Sequence, residues 1–424
     1  MSIRNCPKCA GPIIGDPDKC SWCGHPLQRG HDSRQSMATE EHKRHGSGET
    51  IGVDWKAKHY AFTAALQSHV QKVLCPRCNK LIDYEIDANA YACSYCGAGI
   101  SRTKAEIVLK PLFPLVQACI QNLSEQTLEG LRVVSYIDGD LTDEWEQTLP
   151  PIPPRESQNL NEINPTLHTE KLPITRTPAN IHLRVNQDDD VLYAGSSPVW
   201  VLPYNQMIFR DEQGTKYHQL LASFVTSMDP RVIAMVNSAK KHLLRLTHSK
   251  DFSGYQDKGK TVNLQVNALY DALAEYGLSY IGPPPRYGIE ETQDILLPKQ
   301  SVEERHGCCL DLAVLFASCL ERIDLDAIIF MTRVHAFPGY FLSSISDRFK
   351  AGNYWEGGVT YEFDEVNRMI NKEFIPFEST CLSNLGFADA ARLIEKRWEL
   401  HSGMFEAAID VQYQRLMGVA PLPV

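Results

Sequence analysis

Eight of the chain's thirteen cysteines stand in four Cys-x-x-Cys pairs, and this spacing limits the fold more than any other feature. Cys6/Cys9 and Cys20/Cys23 are separated by ten residues; Cys75/Cys78 and Cys93/Cys96 are separated by fourteen. A Cys-x-x-Cys turn aims two thiolates at one cation. A hairpin joining two such turns completes a tetrahedral sulfur shell at ~2.3 Å per bond. The pattern predicts two N-terminal zinc ribbons with one Zn2+ each, in competition with reduced thiols or a redox pair. Four thiolates leave no open position, so both sites are expected to be structural. Gly24 and Gly97 follow the second turns, where a left-handed backbone lets amides face the sulfurs. His25 is a spare ligand beside a shell that is already full.

The chain has 424 residues, too many for one core, and points to several domains. Its 43% hydrophobic and 22% charged content is that of a soluble globular protein. It has no apolar run of the ~18 residues that a membrane span requires, so no membrane partner is expected. The opening MSIRNCPKC lacks a signal-like apolar stretch, which predicts a cytoplasmic location and cysteines used for metal or catalysis instead of disulfides. The formal charge is −10, yet residues 1–110 hold 15 Lys and Arg against 11 Asp and Glu. Nucleic acid is therefore a weakly supported partner, because each phosphate contact needs a cation.

Along the chain, residues 1–28 read as the first ribbon, 29–70 as linker and helix, 71–104 as the second ribbon, 105–210 as a β-sandwich and 211–424 as an α+β domain. Residues 26–50 have few large apolar side chains and read as a linker; His31, His42 and His45 there read as solvated. Val53 to Val73 has apolar residues at roughly helical spacing and predicts a helix. Short alternating segments split by Pro, Gly, Asn and Asp follow, with LPPIPPRE (149–156) as an edge or connection and Cys119 as a small buried hydrophobe. From Lys216 the pattern becomes mostly helical, ending in the order helix, strand, strand, strand, helix.

RHGCCLDLAVLF (305–316) sets two cysteines at the start of an almost wholly apolar helix. A thiol there meets unpaired amides and the positive end of the helix dipole, which lower its pKa. Cys319, deeper in the helix, reads as core, and Asp311 as a first-turn acid. His335 opens the strand HAFPGYFL, and Glu378 closes EFIPFEST. An imidazole beside the thiol and a carboxylate to orient it are the parts of a nucleophilic triad. Asp364 is the alternative carboxylate, and Cys381 lies close behind the third strand.

These residues resemble the transglutaminase-like, papain-type cysteine enzymes, whose pattern is G-x-C on a helix, HAF on a strand and an acidic residue before a Thr on the next. The resemblance makes Cys309 the nucleophile, Cys308 the variable residue, His335 the base and Glu378 the third member, where the family more often has Asp. It spans roughly Ile107 to Leu400 and is similar to a bacterial subgroup with a preceding β-sandwich, found in conflict and phage-defence loci. The helicase motifs to which that subgroup is often fused are missing here. The resemblance implies a multidomain protein with thioester chemistry on a protein substrate or partner recruited by the ribbons and sandwich. It points to a cysteine protease, with a protein-crosslinking acyltransferase, or an inactive scaffold binding protein or nucleic acid, as the alternatives.

Overall fold

The computed structural model describes residues 3–5, 12–14, 50–78, 81–83, 90–94, 96–101, 103, 106–211, 214–257, 259–282 and 291–423. The chain is multidomain and α+β. It divides into two compact units, one of residues 1–44 with 284–289 and one of residues 45–283 with 290–424. In the first, Ile3–Asn5 pairs antiparallel with Pro12–Ile14. Cys6, Cys9, Cys20 and Cys23 lie outside the described residues, as do Gly24, His25, His31, His42, His45 and the linker up to residue 49.

In the second unit, two sheets share one apolar core. Ile51–Ala57, Val116–Asn122 and Ser157–Ile163 form the smaller sheet, with Val116–Asn122 central. Trp145–Thr148, Leu131–Ile137, Thr177–Gln187, Asp190–Val201 and Tyr60–Ala61 form the larger. Val116, Ala118 and Ile120 face inward against Val133, Leu183 and Val185. This period-2 alternation of apolar residues is that of a half-buried strand. Residues 149–156 connect Trp145–Thr148 in one sheet to Ser157–Ile163 in the other.

Two expectations are corrected here. Residues 53–73 do not form one helix: they contain the strand Ile51–Ala57, the short strand Tyr60–Ala61, the single turn Thr63–Leu66 and the start of His69–Leu74. Pairing with Val116–Asn122 outweighs an approximate helical spacing. Cys119 is only half-buried, because it alternates out of the face that carries Ala118 and Ile120.

In the C-terminal part, the helix Pro230–Thr247 starts where Asp229 accepts the Arg231 amide at 2.7 Å, with Pro230 at its first position. It packs along the helix Val262–Tyr276. The helix Cys309–Arg322 is buried on every side from Cys309 to Leu320. An all-round apolar helix must be enclosed. On one side it meets Ala327, Ile329, Met331, Ala336 and Tyr340 of a five-stranded sheet. The sheet order is Val359–Thr360, Phe405–Asp410, Ala327–Thr332, Ala336–Phe341, Phe374–Pro376, all antiparallel. Its other face packs Ile328, Phe330, Phe337 and Phe341 on Ile394 and Trp398 of the helix Phe387–His401. The strand Gln206–Arg210 pairs with Glu291–Asp294 and joins this C-terminal core through Met207, Ile208 and Phe209.

One ion cluster ties this sheet together. Arg348, fully buried, bonds Asp326 at 2.9 Å and also bonds Asp410, with its guanidinium 3.5 Å from the centre of the Phe341 ring. Removing one member of a buried ion cluster strands the others without solvent, at a cost of about 3–5 kcal/mol. Arg348→Ala should lower unfolding stability by that amount in urea titration; a loss under about 1 kcal/mol would show that the carboxylates re-solvate freely.

Candidate functional site

The four thiols of the second cysteine cluster converge. Cys75, Cys78, Cys93 and Cys96 place their sulfurs within 4.8 Å of one another. The Cys75–Cys96 and Cys78–Cys93 pairs are each at 3.6 Å. The edge of a tetrahedron of ~2.3 Å metal–sulfur bonds is about 3.8 Å, so the set fits one metal ion. The hairpin Ala90–Ala92 with Gly99–Ser101 presents the second turn. There the Gly97 amide donates to the Cys93 carbonyl at 2.8 Å, with φ +69° that glycine adopts without strain. Burial raises the Cys75 thiol, but the Arg77 and Cys78 amides and the Cys78 and Cys93 thiols outweigh it and bring it down to about 6. The local core is small: Val73, Ile82, Tyr91 and Ile100 around the cysteines.

The second constellation is built on the Cys309–Arg322 helix. Cys308 is its N-cap, and Asp311 closes the turn by accepting the Cys308 amide at 2.8 Å and the Leu296 amide at 2.9 Å. Asp311 is thus a capping acid, as its first-turn position suggests. Gly307 serves close approach: a Cβ there would lie 3.0 Å from the Asp311 Cβ. Both thiols are buried, Cys308 at 5% and Cys309 at 7% exposure. Cys319 is core, and burial pushes its thiol up to about 12.

His335 ends a tight turn between two paired strands. Thr332 donates its amide (2.8 Å) and its hydroxyl (3.0 Å) to the His335 carbonyl, and its Oγ1 accepts the His335 amide at 3.0 Å. The His335 backbone is therefore fixed at the end of the sheet, while Val334 beside it is 72% exposed. Its Nε2 lies 2.8 Å from Glu378 Oε2. The other carboxylate oxygen, Oε1, accepts the Thr380 amide at 2.9 Å and the Thr380 hydroxyl at 2.7 Å. Glu378 follows the strand Phe374–Pro376 and is 5% exposed. Its neighbour Phe377 packs edge-on against Phe316 of the cysteine helix, centroids 5.0 Å apart, which fixes strand end to helix.

The Cys309 thiol interacts with the His335 ring and with the Ala336 amide. The Cys308 thiol lowers the Cys309 pKa most; burial opposes, and His335 and the Ala336 amide add to the fall, to about 5. Burial works against protonation of His335, but Cys309 and Glu378 prevail and raise it to about 9. Burial also works against ionisation of Glu378, yet His335 and Thr380 hold its carboxyl below its usual range. Thiolate and imidazolium are both the favoured forms between those values.

The structure brings Cys309, His335 and Glu378 together. Asp364 is exposed on the helix Phe363–Met369, and Cys381 is half-buried near Glu378. Three contributors carry no role in the sequence pattern: Thr332, the Ala336 amide and Gln293, whose Nε2 donates to Cys308 Sγ at 3.4 Å. Thr380 is the Thr of the acidic-residue motif, two residues beyond Glu378; Gln293 carries no sequence signal.

Cys75→Ser should lower the bound metal by one ion per chain in elemental analysis and unfold the Ala90–Ser101 segment, since metal binding supplies its folding energy; unchanged metal content would remove that assignment. His335→Ala should move the pH midpoint of Cys309 alkylation from about 5 toward the ordinary thiol value of ~8.5. An unmoved midpoint would show that the imidazole does not sustain the thiolate.

No family model matches the chain, and no curated protein matches it. A solved structure described as "a putative protease from Parabacteroides distasonis" aligns at 10% identity and a TM-score of 0.17, covering 69% of this chain. The alignment spans 57% of that structure's chain, and at this score it carries no argument.

Proposed function

We propose that the protein is a cysteine hydrolase of the transglutaminase-like, papain-type class, acting on an amide carbonyl of a protein substrate. The observation that carries this reading is the His335–Glu378 hydrogen bond at 2.8 Å, with the Cys309 thiol at a helix N-terminus and lowered by that same imidazole. In the resting site the proton has passed from Cys309 to His335. The Cys309 thiolate attacks the carbonyl carbon and forms the C–S bond. The Cys309 amide, at the end of the helix where N–H groups have no intrahelical partner, holds the oxyanion; one such donor is worth ~3 kcal/mol.

His335 then gives its proton to the departing amine as the C–N bond breaks, leaving a thioester. His335 next takes a proton from water, whose oxygen attacks the thioester. The C–S bond breaks, the acid leaves and Cys309 returns as the thiolate. Glu378 keeps Nε2 engaged throughout, so Nδ1 is the nitrogen that exchanges protons with sulfur, water and amine. The cysteine cluster fits Zn2+ as a structural ion on Cys75, Cys78, Cys93 and Cys96, and we extend the same assignment to Cys6, Cys9, Cys20 and Cys23. The two sheets with a common core fit a β-sandwich, which with the ribbons recruits the substrate. A bacterial conflict or phage-defence setting accords with the resemblance.

An electrophilic thiol probe with peptide mapping tests the assignment. Cys309→Ala should abolish labelling and turnover, and Cys309→Ser should fail as well because a hydroxyl is a far weaker acid. Cys308→Ala should still label when assayed at alkaline pH. Label found on Cys308 instead would move the nucleophile by one residue, and a Cys309→Ala protein that labels like the parent would refute the enzymatic reading.

A further inference from the structure

The proposed chemistry needs a substrate laid across Cys309, and the strand beside that thiol has an open edge. Ser279–Tyr280 pairs in parallel with His306–Gly307, with Tyr280 opposite Gly307 and so two residues short of Cys309. The Ser279 amide donates to the Arg305 carbonyl and the Ile281 amide to the Gly307 carbonyl, each at 3.0 Å. In a parallel ladder the residue between two such donors turns its own N–H and C=O to the opposite side. That residue is Tyr280. The ribbon has two strands, and among the described residues nothing bonds the Tyr280 main chain. An unpaired donor and acceptor on a strand edge are where an extended chain adds. Large apolar side chains stand exposed at the same place. Tyr280 and Ile281 are each 44% exposed beside the cysteine turn, and Val334 projects beside His335. Single exposed apolar residues are ordinary, but these gather at the two turns that carry the reacting groups. The Tyr280 ring lies towards the thiol: burial, and after it negative charge at Cys309, Cys308 and Glu378, raises its phenol.

We infer that the substrate is an extended peptide segment that adds as a strand to the main chain of Tyr280 and carries large apolar side chains on both sides of the bond to be cleaved. This inference rests on the assignment of Cys309 as the nucleophile. The direction of the segment follows from the proposed chemistry. The acyl half stays on Cys309, and the amine leaves with a proton from His335. The acyl half therefore lies along Tyr280 and Ile281, beside the cysteine turn, and the leaving half passes Val334. Neighbouring strands are ~4.8 Å apart, so an added strand lies ~10 Å from Gly307; at ~3.3 Å per residue, its contact with Tyr280 falls about three residues before the scissile carbonyl.

The test compares two reagents on Cys309 of the full-length protein, followed by peptide mapping: iodoacetamide, which needs no strand, and a tetrapeptidyl vinyl sulfone with leucine at every position. The readout is the ratio of their labelling rate constants. In the parent, the leucine probe should outpace an all-aspartate counterpart by about tenfold or more. Tyr280→Pro removes the free N–H at an edge position whose own pairing does not use it, so the ribbon tolerates it. It should lower the ratio about tenfold, the scale of one hydrogen bond. Tyr280→Ala keeps the main chain and should shrink the preference for leucine over aspartate severalfold. N-methylation of the leucine probe, one amide at a time, leaves the protein untouched and keeps the test open if Tyr280→Pro folds poorly; one position should cost about tenfold. If iodoacetamide labels Cys309 but neither Tyr280→Pro nor any N-methyl amide lowers the ratio by about twofold, this inference alone is overturned. A leucine probe no faster than the aspartate one overturns it as well. If neither reagent labels Cys309, the nucleophile assignment falls and this inference with it.

Discussion

The C-terminal core depends on one constraint: the helix Cys309–Arg322 has no polar face to give to water. Residues 309–320 are all buried, so sheet and helices must close around it. The enclosed segment begins at the paired cysteines. The turn at Gly307 is pulled tight against Asp311, which leaves the helix N-terminus abutting the edge of the sheet where His335 stands. The same demand that fills the core thus delivers a thiol to an imidazole. Phe316 and Phe377 extend this coupling to Glu378, so the three polar groups are located by apolar contacts beneath them.

Rigidity distinguishes this arrangement from a loop-borne site. Thr332 bonds His335 through three backbone or hydroxyl contacts, and Thr380 bonds Glu378 through two. The backbone under His335 and the carboxylate of Glu378 are thus held in place, which is the condition for low reorganisation during proton transfer. The same applies at the cysteine cluster, where the Gly97 turn and the small core around Tyr91 fix sulfur directions but bury too little apolar surface to hold the hairpin unaided.

Much of the site was legible because its chemistry demands residue identity at fixed spacing. Cys75, Cys78, Cys93 and Cys96 announce themselves by their turns, and Gly307, Cys309 and His335 by order along the chain. Glu378 was separable from Asp364 by its place after a buried strand. What was illegible depends on contacts distant in sequence. Ile51, Val53, Trp55 and Ala57 alternate with period two, but neighbouring aromatic residues blur that rhythm, and only the partner strand Val116–Asn122 makes it a strand. Cys119 was misread because an apolar run does not reveal which parity faces inward. Gln293 reaches Cys308 from a segment whose own sequence, ETQD, carries no sign of it.

The strand order has a consequence for synthesis. Ala327–Thr332 lies between Ala336–Phe341, made next, and Phe405–Asp410, made much later. Until that later segment leaves the ribosome, one edge of a strand that ends up fully buried has no hydrogen-bonding neighbour, and Arg348 has only one of its two carboxylates. A nascent chain in that state exposes the kind of edge on which strands from other chains assemble. The exposure lasts as long as translation across residues 342–404, and a chaperone that shields that edge removes the hazard without shortening the wait.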